Sequence, residues 1–212
     1  MEKIDFKKKY KNLFSASAKK ITIENVPELN FLVYRGKGHP ENNPEYGHAM
    51  ECLFSVAYTL KFMLKFDEKI QPKGYADYSV TPVETLWYGE NDHFDVNKPE
   101  SWLWDCMILT PAFIDAKLIE KAKEEIIKKK KAKKEIVPPL EKLRFEKFHE
   151  KKVVQTLHIG PYGEVGEIYQ KLEEFIDKNN LKCHGKAHEI YLNNPCRTAP
   201  EKLKTIVRLP VL

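Results

Sequence analysis

The spacing of apolar and polar positions divides most of the chain into one four-part pattern that occurs twice. "LNFLVYRGKGHP" (29–40) reads as a strand running into a Gly/Pro loop. Asn43-Pro44-Glu45 marks a helix start: a capping side chain, a proline at the first helical position and an acid in the first turn. Met50, Leu53, Phe54, Ala57, Leu60 and Leu64 follow at helical spacing, which predicts a helix with an apolar stripe facing a sheet. "YADYSVTPVETLWYGE" (75–90) and "SWLWDCMILTP" (101–111) then read as two strand-like runs joined by a polar loop around Asn91–Lys98.

The second unit repeats the order. "VVQTLHIGPYG" (153–163) is a strand ending in a Gly/Pro loop, and Val165, Ile168, Tyr169, Leu172, Phe175 and Ile176 form a helical stripe. "HEIYL" (188–192) and "LKTIVRLPV" (203–211) close it as strands. Gly38 aligns with Gly160, Glu84 with Glu189, and Pro111 with Pro210. Between the units, Asp115 to about Glu135 predicts a lysine-rich amphipathic helix that "VPPL" (137–140) stops, because proline cannot continue a helix. Residues 1–20 read as a short helix or a loose arm. The expected organisation is that arm, then one domain over 21–212 with repeat 1 at about 29–113, a helical linker at 115–137 and repeat 2 at about 150–212. Neither repeat buries its sheet alone. Packed about a pseudo-twofold axis they predict an α+β fold: a mainly antiparallel sheet, helices on one face and a ligand cleft on the other.

Within these strands two carboxylates are out of place. Glu84 lies in "TPVETLWYG" (81–89) and Glu189 in "KAHEIYLNN" (186–194), both among residues that otherwise read as buried. Strand alternation groups Glu84 with Leu86 and Tyr88, and Glu189 with Tyr191. A strand glutamate ordinarily faces solvent or pairs across the sheet. Recurrence at matching repeat positions beside aromatics favours a shared site, in which Glu84 and Glu189 converge and Trp87, Tyr88, Trp102, Trp104 and Tyr191 supply the walls. A carboxylate in such a hollow needs donors or has its pKa pushed upward. Two chemistries fit: a general base acting on water, or a negative pole that holds flat or cationic ligands with help from aromatic faces.

Composition narrows the setting. The 212 residues are 42% hydrophobic, enough for a real core, and the charged N-terminus has no secretory apolar segment. No apolar run is long enough to span a bilayer. A cytoplasmic protein without membrane contact is expected. The net charge of +5 is concentrated: residues 115–135 hold nine lysines against five acids, so no direct nucleic-acid surface is expected. Six of the seven residues Lys128–Lys134 are lysine, a solvated helix face or a docking site for a protein partner. Cys52, Cys106, Cys183 and Cys196 form no CxxC pair. His184 and His188 lie in a strand context with Gly185 between them and HExxH is absent, so no metal is expected.

"DYSVTPVETLWYG", "WLWDCMILTP", "HIGPYGE" and "HEIYLNNPCRTAPEKLKTIVRLPV" resemble the stand-alone GyrI-like small-molecule-binding proteins over roughly residues 20–212. The resemblance implies a duplicated strand–helix–strand–strand module, the SHS2 arrangement, with a ligand cleft. It also implies kinship with effector-binding domains of multidrug-responsive regulators and with hydrolases that open strained cyclopropane rings of DNA-alkylating compounds. By motif, Glu84 and Glu189 take the carboxylate roles, and Trp87, Trp104 and Tyr191 line the pocket. The expectation is a cofactor-independent hydrolase acting on a small aromatic or cationic ligand. The alternatives are a non-catalytic drug-binding or effector-sensing module, or a protein-interaction module working through the lysine-rich helix.

Overall fold

The computed structural model describes residues 3–90 and 98–212, so the loop expected at Asn91–Lys98 lies, but for Lys98, outside the described residues. Among these residues six strands form one hydrogen-bonded ring: β1 (Thr22–Lys37), β2 (Glu84–Tyr88), β3 (Leu103–Thr110), β4 (Arg144–Ile159), β5 (Ala187–Tyr191) and β6 (Lys204–Pro210). The order around the ring is β1-β3-β2-β5-β6-β4, and every neighbouring pair is antiparallel. The helices are α1 (Phe6–Lys9), α2 (Lys11–Phe14), α3 (Pro44–Phe66), α4 (Ala116–Ala132) and α5 (Gly166–Lys178). The units β1-α3-β2-β3 and β4-α5-β5-β6 repeat the expected order within an α+β fold.

β1 and β4 are each 16 residues long, about twice the expected runs, and each serves two neighbours. β1 pairs with β4 through its first part and with β3 through its last, which lets twisted strands close on themselves. The early halves hide from a pattern search because they are rich in charge and Pro27 has no N–H for a ladder. The β1–β4 register passes directly from Val26↔Lys151 to Glu28↔His149, and Lys151 adopts a positive φ of 67° beside that gap. Of the run 75–90 only Glu84–Tyr88 is a strand. The stretch before it is irregular and is tied to the N-terminal segment by a parallel bridge between Ile4 and Tyr78.

The helix signals hold locally. Asn43 Oδ1 accepts from the Glu45 N–H at 3.0 Å, with Pro44 opening α3. Asp115 Oδ1 accepts from the Leu118 N–H at 2.9 Å to cap α4. That helix ends at Ala132, short of Glu135, as Lys134 turns to φ 56°. Its last-turn lysines lie at the negative end of the helix dipole. Among the described residues no helix is long and apolar enough to cross a membrane.

Two cores result from strand alternation. Leu32, Tyr34, Trp87, Trp104, Cys106 and Val207 pack under the helices, with Leu53, Leu60, Ile119, Leu172 and Ile176 above them. Phe31, Val33, Leu86, Met107, Ile190 and Ile206 point the other way, into the ring, where Phe6, Leu13 and Phe14 of α1 and α2 close over them. The face expected to open as a cleft is thus filled. Ring closure removes free strand edges and turns that face into an interior. The N-terminal arm is correspondingly docked: Thr156 Oγ1 donates to Ser17 O at 3.0 Å, and Gln155 Nε2 to Asn12 O at 2.7 Å.

Under the helices, Trp104 lies flat against Gly36. A Cβ at Gly36 would stand 2.2 Å from Trp104 Cη2, and the ring is held by its Nε1–H donating to Gly38 O at 3.1 Å. Gly36→Ala is therefore expected to destabilise the fold by roughly 1–3 kcal/mol through overpacking. Urea unfolding with an unchanged m-value measures this, and wild-type stability would refute the contact.

Candidate functional site

The β2–β5 register decides where the candidate carboxylates go. Thr85 lies opposite Glu189, and Glu84 lies opposite Ile190. Cross-strand partners share a face, so Glu84 and Glu189 occupy opposite faces of the sheet. The expected convergence of the two does not occur. A one-residue offset between the repeats suffices, because it moves a side chain to the other face. The residues of β5 on the face of Glu84 are His188 and Ile190.

Glu84 is inside the ring, in a cluster with His188, Glu150 and Arg208, all four buried. His188 Nε2 is 3.1 Å from Glu84 Oε2, and His188 Nδ1 is 2.9 Å from Glu150 Oε1. Arg208 Nη1 is 3.5 Å from Glu150 Oε2, its Nε–H donates to Gln155 Oε1 at 2.8 Å, and its Nη2–H donates to the Leu13 carbonyl. A cavity of only about 10 Å³ adjoins these groups, at the lower limit of room for one water. Burial alone would depress the His188 pKa, but Glu150 and then Glu84 overcome it and raise it to about 9. Burial would likewise push Glu150 up, yet His188 and Arg208 hold it below the usual range. The cluster is a compensated ionic core with no space for an organic ligand.

Tyr88 also leaves the expected wall. Its hydroxyl donates to Asp105 Oδ1 at 2.9 Å, and Lys186 Nζ stands 3.5 Å over its ring while pairing with Asp105 Oδ2 at 2.9 Å. Arg35 joins the same group, 3.3 Å from Asp105.

The remaining expected residues assemble with Glu189 on the helix-bearing face. α3 packs on β1 and β3, and α5 packs on β4 and β6, so the short β2–β5 pair forms a floor between them. Trp87 lies directly opposite Trp104 across β2–β3, and Trp87 meets Trp102 edge to face at 5.6 Å between centroids. Glu189 is 6% exposed. Its Oε1 accepts from the Tyr169 hydroxyl at 2.7 Å and its Oε2 from the Tyr191 hydroxyl at 2.9 Å, while Trp87 Nε1–H donates to Tyr191 Oη at 3.1 Å. Burial raises the Glu189 pKa; the donors from Tyr169, Tyr191 and Trp87, with His158 nearby, offset only part of that rise. Tyr162 packs edge to face on Tyr191 at 5.2 Å, and His39 lies 5.3 Å from Trp102 at the rim.

Tyr46, His158, Tyr162 and Tyr169 were not legible as site residues. Tyr169 reads as one member of an apolar helical stripe, and Tyr46 sits in the first turn of α3. Burial pushes the Tyr46 hydroxyl pKa well above its ordinary value, with Cys106, Thr85 and Glu189 around it. For Tyr46 and Tyr169 the signal that could have found them is a tyrosine near the start of each repeat's helix. Among the described residues no group of three or more His, Cys, Asp or Glu side chains is arranged to hold a metal ion. Cys52 and Cys106 are buried thiols, as their apolar contexts imply, while Cys183 and Cys196 are exposed.

This arrangement can be compared with known proteins. Residues 115–212, which carry Tyr169, Glu189 and Tyr191, match the GyrI-like small molecule binding domain. A hydrolase from Listeria innocua is 36% identical over 100% of both chains, with a TM-score of 0.87. An uncharacterized conserved protein from the same organism is 35% identical over 99% of this chain and 100% of its own, with a TM-score of 0.88. The chain belongs to the GyrI-like small-molecule-binding family. At 12% identity, 91% coverage of this chain and 97% of the other, and a TM-score of 0.55, the EcmrR C-terminal domain shares the fold. Comparison with curated proteins finds no match.

The ring-interior cluster generates a pH dependence. His188 has a folded pKa of about 9 against an ordinary 6.5, so its contribution to stability is complete below about pH 6.5 and is lost as pH rises through about 9. The melting temperature should fall between pH 7 and 10 more steeply in the wild type than in His188→Gln. Parallel pH profiles for the two proteins would show that His188 is not charged in the fold.

Proposed function

We propose that the protein binds a flat, mainly apolar small molecule over the β2–β5 floor and hydrolyses a strained-ring electrophile there, of the class of cyclopropane-bearing DNA-alkylating compounds. The observation that carries this is Glu189: a buried carboxylate, its pKa raised by burial, held between two tyrosine hydroxyls amid Trp87, Trp102 and Trp104. A raised pKa makes a carboxylate a better proton acceptor near neutrality. Tyr169 and Tyr191 orient it. Half-buried Trp102, packed edge to face on Trp87, offers an aromatic surface to a planar ligand, with fully buried Trp104 behind. The Listeria innocua hydrolase, 36% identical over the whole chain, supports hydrolysis as the reaction class.

In the proposed step a water oxygen bonds to a ring carbon as the strained carbon–carbon bond breaks. The electron pair of that bond passes into the acceptor system conjugated with the ring. Glu189 takes the water proton and returns it to the atom that received the electrons. Orientation and one base suffice, with no redox change. Glu84 has no role in this scheme beyond the ionic core, and Tyr88 none in the wall; Tyr46 and Tyr169 take the positions first expected of them.

A second reading, ligand binding without turnover, is favoured by one feature. Both oxygens of Glu189 already accept from tyrosines, which suits a fixed negative pole for a cation. Incubation with a cyclopropane-bearing alkylator, followed by mass spectrometry of the ring-opened product, separates the two. Glu189→Gln should lower kcat by about 100-fold or more while ligand still quenches tryptophan fluorescence. Glu84→Gln should lower the melting temperature and leave kcat within a few fold. Tight binding with no product from the wild type would replace hydrolysis with sequestration.

A further inference from the structure

An aromatic ladder runs along α3, and the functional site does not use it. Phe54, Tyr58, Phe62 and Phe66 are spaced four apart, and successive ring centroids are 6.3, 6.2 and 6.0 Å apart with near-parallel planes. Tyr58 and Phe62 are each 46% exposed and Phe66 is 76% exposed. Leaving such rings in water is unfavourable, and an exposed row of them marks a contact surface. Between α3 and the lysine-rich α4 runs an open groove of about 650 Å³, and Tyr58, Phe62 and Phe66 of the ladder form its near wall with Met63 and Ile70. Its far wall presents Glu124 and Glu125, flanked by Lys121 and Lys129.

The chemistry of ridge and groove identifies the occupant. The ridge carries Lys65 beside its last ring, with Nζ 5.9 Å from the Phe66 centroid; Lys65 is half exposed and 3.6 Å from Asp77. The groove offers what that ridge needs, apolar side walls and the three carboxylates of Asp67, Glu124 and Glu125 against the two lysines Lys121 and Lys129. A ladder that walls an open groove can interdigitate with its own copy under a twofold axis, each ladder packing into the groove of the other. A polyanion or a uniformly basic helix, by contrast, would meet like charge from either the glutamates or the lysines of α4. We propose that the α3–α4 face is a homodimer interface, in which each ladder enters the groove of a second copy and Lys65 reaches Glu124 and Glu125 of that copy. It shares no residue with the Glu189 site and stands apart from the function proposed for it.

Sedimentation of the full chain over micromolar to high-micromolar concentration tests this. A reversible monomer–dimer equilibrium is expected. Phe62→Glu with Phe66→Glu should weaken it by at least about tenfold, whereas Ile23→Glu, the same kind of change on β1, should not. Should the double aromatic variant misfold by circular dichroism, charge reversal still decides. Lys65→Glu and Glu124→Lys/Glu125→Lys should each dimerise poorly alone and associate when mixed. A monomer at every concentration, a dimer indifferent to the ladder substitutions, or charge-reversed chains that do not associate when mixed would each overturn the proposal and leave the face to another protein.

Discussion

Closure of the six-strand ring is the constraint on which everything else depends. Once β1 pairs with β4 and β2 with β5, every strand has two neighbours, and each alternate side chain is committed either to the interior or to the helix layer. The interior must then be filled and the outside covered. The short β2 and β5 run down the middle of the helix-bearing face, where neither α3 nor α5 takes them as its main partner. That gap between helices is floored by tryptophan and a carboxylate instead of aliphatic side chains.

The two faces treat buried charge differently. Inside the ring, Glu84 and Glu150 flank His188, and Arg208 completes a set of two anions and two cations. Opposite charges in contact offset desolvation, and removing one partner leaves the others uncompensated. On the outer face, Glu189 is held chiefly by hydroxyl donors, which offset only part of the rise that burial gives its pKa. The first arrangement is self-contained. The second leaves a group whose charge still answers to what is placed beside it, which is the property a ligand or a reacting water exploits.

Much of the fold was legible because its signals are local. Asn43-Pro44-Glu45 starts α3, Asp115 starts α4, and the strand–helix–strand–strand order repeats as read. The early halves of β1 and β4 were not, since Pro27 and a run of charges mask a strand whose partner lies over a hundred residues away. Trp87, Trp102, Trp104, Glu189 and Tyr191 were legible as neighbours because β2, β3 with the residue just before it, and β5 carry them in short motifs. Tyr46 and Tyr169 were not, because a tyrosine within a helical stripe looks like any other core residue until its hydroxyl has somewhere to point.

By itself the sequence determined which residue types are available and in what repeating order: two carboxylates in apolar strands, aromatics around them, one helix per repeat. Only the tertiary structure decided which carboxylate meets those aromatics. Pairing Thr85 with Glu189 sends Glu84 to His188 and Glu189 to Tyr169, and a shift of one residue would exchange their surroundings. Strand register is set by long-range closure of the ring, and the local alternation of a single strand carries no information about it.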